Sequence, residues 1–171
     1  MTSTPPPHPA PAATSLCLLT RLSETGEREV LLGLKKKGFG TGKFVGPGGH
    51  VEPGETPAEA AVRETHEETG ITVELADLTD LGLVTFHFPT RPDWDLSVAL
   101  FGAERFGGEA AESDEIAPQW FPTSALPLDR MWDDARYWLP RVLDGQCLNA
   151  DISYAADCQT VDKVRIAPVR R

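Results

Sequence analysis

Glu64, Glu67 and Glu68 stand three and four residues apart, so on a helix they share one face. Like charges at that spacing repel, and the last two fall near the negative end of the helix dipole. The arrangement is locally unfavourable until a cation neutralises it. Mg²⁺ or Mn²⁺ takes hard oxygen ligands and leaves coordination positions for substrate phosphates. The chemistry on offer is metal-assisted hydrolysis of a phosphate compound. A solvated acidic face is the competing reading of any charge run. The surroundings argue against it, because a Gly46-Pro47-Gly48-Gly49 turn precedes a helix marked at both ends. Arg63 on the same helix can pair with Glu59 or Glu67.

The elements that must position these groups are legible in part. Thr56-Pro57-Ala58-Glu59 is a helix start: Thr56 caps, Pro57 suits the first turn and Glu59 completes a capping box. Gly70 suits the residue just past the helix end. The spacing therefore predicts a helix over Thr56–Thr69. A second helix is expected over Asp133–Leu143, despite Pro140 late in it. Strands are expected at Ser15–Thr20, Glu29–Leu34, Leu81–Phe88, Leu96–Ala103 and Gln119–Phe121, with a closing hairpin of Ile152–Ala155 and Val161–Ile166. Lys35–Gly49 and Glu112–Glu115 read as loops, with Lys36 and Lys37 as solvated charges. Strands dominate and two helices stand apart, an α+β pattern with helices packed on a mixed sheet.

Composition bounds the rest. At 171 residues the chain is long enough for one domain with a core. Met1–Thr14 is rich in Pro, Ala and Thr and lacks an apolar run, so it reads as a disordered tail rather than a secretory signal. Residues 15–171 form the expected domain. The formal net charge of −10 argues against a nucleic-acid polymer or an anionic membrane as partner. It leaves room for a nucleotide, since metal ions bridge acidic protein to phosphate. No apolar run reaches membrane-spanning length. Cys17, Cys147 and Cys158 are odd in number and unpatterned, which points to buried reduced thiols in a cytoplasmic protein. Cys147 and Cys158 facing each other across a hairpin is the alternative.

Gly49, Glu55, Arg63, Glu64, Glu67, Glu68, Gly70 and Ile71 together resemble the Nudix box, with Thr65 where that pattern has an aliphatic residue. The resemblance implies an α/β/α sandwich and a Mg²⁺-dependent hydrolase, with Mn²⁺ as the alternative ion. It implies that Glu64, Glu67, Glu68, the carbonyl of Gly48 and the remote Glu115 hold metal. Arg63 would orient a catalytic carboxylate. Water would attack a phosphorus of a diphosphate bridge, with Glu67 the first choice of general base and Glu115 the second.

A wider likeness runs from about Ser15 to Pro168. Leu31–Gly40, Glu112–Glu115, Trp120-Phe121, Met131-Trp132 and Tyr137-Trp138 resemble the mammalian-type oxidised-purine branch of the family. That branch removes nucleotides such as 8-oxo-dGTP, giving the monophosphate and pyrophosphate. It implies that Lys35, Phe39, Val45, Phe86, Trp132 and Asp134 surround the substrate, with Phe88 better explained as core and Trp132 also open to a helix-staple role. Two departures stand out. Val45 replaces an Asn, and Ala135 replaces the second of two consecutive Asp residues, leaving Asp134 in register and Asp133 as a substitute. His50 replaces a lysine. The leading expectation is a monomeric nucleoside triphosphate pyrophosphohydrolase of damaged purines. Broader action on undamaged nucleotides or dinucleoside polyphosphates is the alternative. A binding-only module is disfavoured, because it would not need all three glutamates.

Overall fold

The computed structural model describes residues 10–170. Nine strands form one mixed sheet, covered by one α-helix on each face. Strand β1 (Ala12–Leu22) is the spine. Its first half runs parallel to β6 (Leu96–Ala103) and antiparallel to β4 (Gly48–His50). Its second half pairs antiparallel with β2 (Arg28–Lys35), which also carries β3 (Phe44–Val45) and β7 (Ile116–Pro122). Beyond β6 the order is β5 (Thr79–His87), β8 (Leu148–Tyr154) and β9 (Val161–Pro168).

Side-chain alternation divides the core. Cys17, Leu19 and Leu31 pack with Ala61 of helix α1 (Pro57–Thr69) and with Ile71 just beyond its end. Leu18, Leu32 and Leu100 face helix α2 (Ala135–Leu143) through Trp138 and Leu139. This is the expected mixed-sheet α+β sandwich.

Several boundaries differ from expectation. β1 begins at Ala12, so Ala12–Thr14 belong to the sheet rather than to a tail. Of the rest of the expected tail, Met1–Pro9 lie outside the described residues. The 35–49 stretch is not all loop, because it contains β3 and β4. Helix α2 starts at Ala135, two residues late. All three cysteines are free; Cys17 and Cys158 are buried, whereas Cys147 is only half-buried.

Helix α1 forms for the reasons its sequence states. The Glu59 amide donates to Thr56 Oγ1 at 3.2 Å, and the Thr56 amide donates to Glu59 Oε2 at 2.7 Å. Gly70 closes the helix at φ 77°, its amide donating to the His66 carbonyl at 2.8 Å. Thr65, the departure from an aliphatic residue, is fully buried. Its hydroxyl lies beside the Cys17 thiol, a weak partner, and makes no ordinary hydrogen bond. Thr65→Val keeps the shape and removes the unmatched hydroxyl. It should raise stability by about 1 kcal/mol, roughly 2–4 °C in Tm. A fall in Tm would show that the hydroxyl is matched after all.

Candidate active site

Arg63 is the hub of the helix α1 face. Its guanidinium donates to both oxygens of Glu55, at 2.7 and 2.9 Å, to Glu64 Oε1 at 2.9 Å and to Glu67 Oε2 at 3.3 Å. A further bond to the His50 carbonyl at 3.1 Å ties the helix to β4. Hydrogen bonds from Arg63 first, then from the Glu52 amide, with the Arg63 charge adding last, lower the pKa of Glu55 to about 2. Glu59 belongs to the cap and is not an Arg63 partner, so of the two intrahelical pairs only Glu67 is realised. Glu67 is the most exposed of the three box glutamates.

Glu68 is buried beneath them, its Oε2 accepting the Gly48 amide at 3.4 Å. Burial first, then the charges of Glu64 and Glu115, push its carboxyl from 4.5 up to about 8. Glu64 is also raised, chiefly by burial, while Arg63 opposes the shift. A Cβ on Gly49 would lie 2.5 Å from Glu64 Oε1, so a side chain there would have to push the Glu64 carboxylate aside. A Cβ on Gly48 would strike the Ser15 carbonyl.

The donor set suits a divalent cation: hard carboxylate oxygens, crowded, with more negative charge than Arg63 and Lys35 offset. Among the described residues, no three of these groups already converge on a single point. Arg63 draws Glu64 and Glu67 toward itself, and Glu68 turns to Gly48. Side-chain rotation on a fixed helix face would bring them together.

The raised Glu68 makes stability depend on pH. The folded state binds this proton more tightly than the unfolded chain does. The associated stabilisation is complete below pH 4.5 and is lost as pH rises through about 8. In EDTA, Tm should therefore fall between pH 6 and pH 9, by roughly 4–8 °C for about 2 kcal/mol. Glu68→Gln, which cannot ionise, should lose most of that slope. An unchanged slope in the variant would place the titration elsewhere.

The remote acid arrives on a pinned loop. The Lys36 amide donates to the Glu115 carbonyl at 2.8 Å, and Lys36 Nζ donates to the Ser113 carbonyl at 2.8 Å while pairing with Glu112. Lys36 is thus an anchor, not the solvated charge that sequence suggests. Glu115 comes close enough for its charge to act on both Glu64 and Glu68.

On the other side of β4 lies a cavity of about 480 Å³. Lys35, Phe39, Val45, Phe86, Trp132 and Asp134 all line it, as do Gly48, Gly49 and His50. Phe39 stacks on Trp132 with centroids 4.9 Å apart and planes at 19°, and Lys43 Nζ lies 5.0 Å over the same indole. Trp132 is therefore a cavity wall, beyond any staple role. Phe88 is core, as expected, yet it also reaches the cavity.

Asp133 and Asp134 diverge. Asp133 accepts the Val161 amide at 2.8 Å and pairs with Arg136 at 2.9 Å, so it is no substitute in the cavity. Asp134 lines the cavity and is buried, which raises its pKa, opposed by hydrogen bonds from Tyr154 and Trp138.

Sequence reasoning misses much of the lining, Trp94 and Tyr154 among it. Trp94 sits in a short turn between β5 and β6, edge-on to Phe39 at 5.0 Å, with the Arg91 guanidinium 4.3 Å over its ring. A tryptophan outside the strand alternation was the available signal. Tyr154 comes from β8, where only its period-two register with Ile152 points inward.

The comparisons agree with this geometry. The family model described as NUDIX domain matches residues 12–142. The chain is 44% identical over 126 residues to the oxidized purine nucleoside triphosphate hydrolase of Danio rerio, covering 74% of this chain and 79% of that one. It is 40% identical over 116 residues to the Mus musculus protein of the same name, covering 68% and 72%. Among solved structures, the Bacillus halodurans MutT protein superposes with a TM-score of 0.73 at 23% identity, covering 91% of this chain and 97% of that one.

Proposed function

The chain belongs to the Nudix hydrolase family, and from that premise we propose that it hydrolyses oxidised purine nucleoside triphosphates, such as 8-oxo-dGTP, to the monophosphate and pyrophosphate. One observation carries the reading. Lys35, Gly48 and Gly49 line the aromatic cavity, while Lys35 and Gly48 act on Glu68 and Gly49 abuts Glu64. A base in the cavity therefore sets the attached phosphates against the carboxylates. The two relatives named for oxidised purine nucleoside triphosphates support the substrate class.

Glu64, Glu67, Glu68, Glu115 and the Gly48 carbonyl are the residues that would hold Mg²⁺, with Mn²⁺ as the alternative ion. Bound there, the ion neutralises charge developing on the phosphates and acidifies water. Arg63 fixes the orientation of Glu64 and Glu67. Glu67, the exposed member, takes the proton of the attacking water at its carboxylate, and Glu115 is the second choice. Lys35 places positive charge beside the phosphates. Trp132 and Phe86 offer aromatic faces to the base, and Asp134 offers carboxylate oxygens to its edge.

All these groups come from one chain, which fits a monomer. No helix among the described residues is long and apolar enough to cross a membrane. Three free thiols fit a reducing compartment, and we assign the protein to the cytoplasm. The apolar Val45 in the cavity favours, as a second reading, looser action on undamaged nucleotides or dinucleoside polyphosphates. Pyrophosphate release across a nucleotide panel, with Mg²⁺ and with EDTA, tests both. Turnover of oxidised and normal purine triphosphates that stops in EDTA is expected. Turnover confined to dinucleoside polyphosphates would favour the second reading.

A further inference from the structure

Asp134 is held by two side chains that the reaction scheme above does not use. Tyr154 donates its hydroxyl to Asp134 Oδ1 at 2.5 Å, and Trp138 donates Nε1–H to Oδ2 at 2.7 Å. The Tyr154 oxygen itself accepts the Asp134 amide at 3.3 Å, so its own hydrogen has Oδ1 as its target. An indole nitrogen can only donate. Both carboxylate oxygens thus receive one donor from the protein, and each has a further lone pair with which to accept a second in the cavity that Asp134, Trp138 and Tyr154 all line.

The clamp is rigid. Tyr154 is 1% exposed and stacks on Phe88 with centroids 4.7 Å apart and planes at 11°. Trp138 lies one helical turn after Asp134, and its ring is buried in the core facing α2. Asp133, bound to Val161 and Arg136, offers nothing here. Val45 and Ala135 line the same cavity with no side-chain donor or acceptor. Asp93 also lines the cavity, but its carboxylate is exposed and bound by Arg91, so Asp134 is the buried carboxylate of the lining, two residues from Trp132.

We propose that Tyr154 and Trp138 are positioning residues that hold Asp134 as a two-oxygen acceptor, selecting a base edge with two adjacent N–H donors, the guanine-type edge. Adenine offers one donor beside an acceptor, and thymine offers one donor between two acceptors. Only a guanine-type base matches both oxygens at once. A buried acceptor left unmatched is penalised, which turns the match into selectivity. The proposal rests on reading the cavity as the base site of a nucleoside triphosphate hydrolase.

The test compares kcat/KM for dGTP and dITP, which differ only in the 2-amino donor, in Mg²⁺. The wild type should prefer dGTP by about 10-fold, the scale of one buried hydrogen bond. Tyr154→Phe and Trp138→Phe should each shrink that preference by about 3- to 5-fold, mostly through KM, as the carboxylate loses its fixed orientation. A purely structural role would lower Tm and slow both substrates alike; folded variants that keep the wild-type ratio overturn the proposal. Should either variant fail to melt cooperatively, Asp134→Asn decides, since an amide places a donor where an acceptor is required. It should abolish the dGTP preference, and retention of that preference overturns the proposal. A wild type that cleaves dGTP and dITP equally refutes the positioning role alone. One that cleaves no nucleoside triphosphate refutes the nucleotide reading and this proposal together.

Discussion

Glu67→Gln should lower kcat by about 10²-fold or more in saturating Mg²⁺, the scale of removing a preorganised electrostatic group. The substitution keeps shape and removes charge. It deletes the exposed carboxylate that Arg63 orients at 3.3 Å and that stands nearest solvent water among the box glutamates. The fold should survive. Glu67 is exposed and makes no cap contact, so the loss of one partly exposed ion pair changes stability by at most about 1 kcal/mol. The prediction is thus a large fall in kcat with an almost unchanged Tm. Near-normal turnover would remove Glu67 from catalysis and move the role of base to Glu115, the next carboxylate within electrostatic reach of Glu64 and Glu68.

The second large effect concerns base selectivity. Oxidised guanine differs from guanine at the C8 oxygen and the N7 hydrogen. Telling them apart needs fixed polar partners, because an unmade buried hydrogen bond costs about 1–3 kcal/mol. Val45 and Ala135 line the cavity without supplying any side-chain partner, and Asp133 is engaged elsewhere. Two missing contacts forfeit roughly 2–4 kcal/mol, or about 30- to 1,000-fold of discrimination. The preference for 8-oxo-dGTP over dGTP in kcat/KM should therefore be modest. Val45→Asn with Ala135→Asp should increase it. Val45→Asn alone is the cleaner step, since Val45 is half-buried whereas Ala135 is 3% exposed and an Asp there enters without a waiting partner. A wild-type preference above about 10⁴-fold, unchanged by the substitutions, would mean that other groups read the base.

What the sequence made legible was local. Thr56, Glu59 and Gly70 specify helix α1 because capping acts within one turn, and the structure realises each bond. The same fixed helix face places Glu64, Glu67 and Glu68 in register. Pairing across long separations was harder to read. The cavity role of Tyr154 depends on β8 lying parallel to β5, a register that no local pattern announces. Lys36 sits in a lysine run, and its anchoring partners are 76 and more residues away, at Glu112, Ser113 and Glu115. Ala12–Thr14 resemble the Pro- and Ala-rich residues before them, yet pairing with Leu96–Val98 makes them strand. Adjacent Asp133 and Asp134 look interchangeable by type. Their separation into surface and cavity follows from the start of α2 at Ala135.

The identity of the products tests the central claim most directly. Purified protein, Mg²⁺ and 8-oxo-dGTP or dGTP can be followed by ³¹P NMR. Cleavage between the first and second phosphates yields one nucleoside monophosphate and one pyrophosphate per turnover, with nothing in EDTA, and this is the result predicted. Release of orthophosphate with a nucleoside diphosphate, or no phosphorus-containing product from either nucleotide, would contradict it.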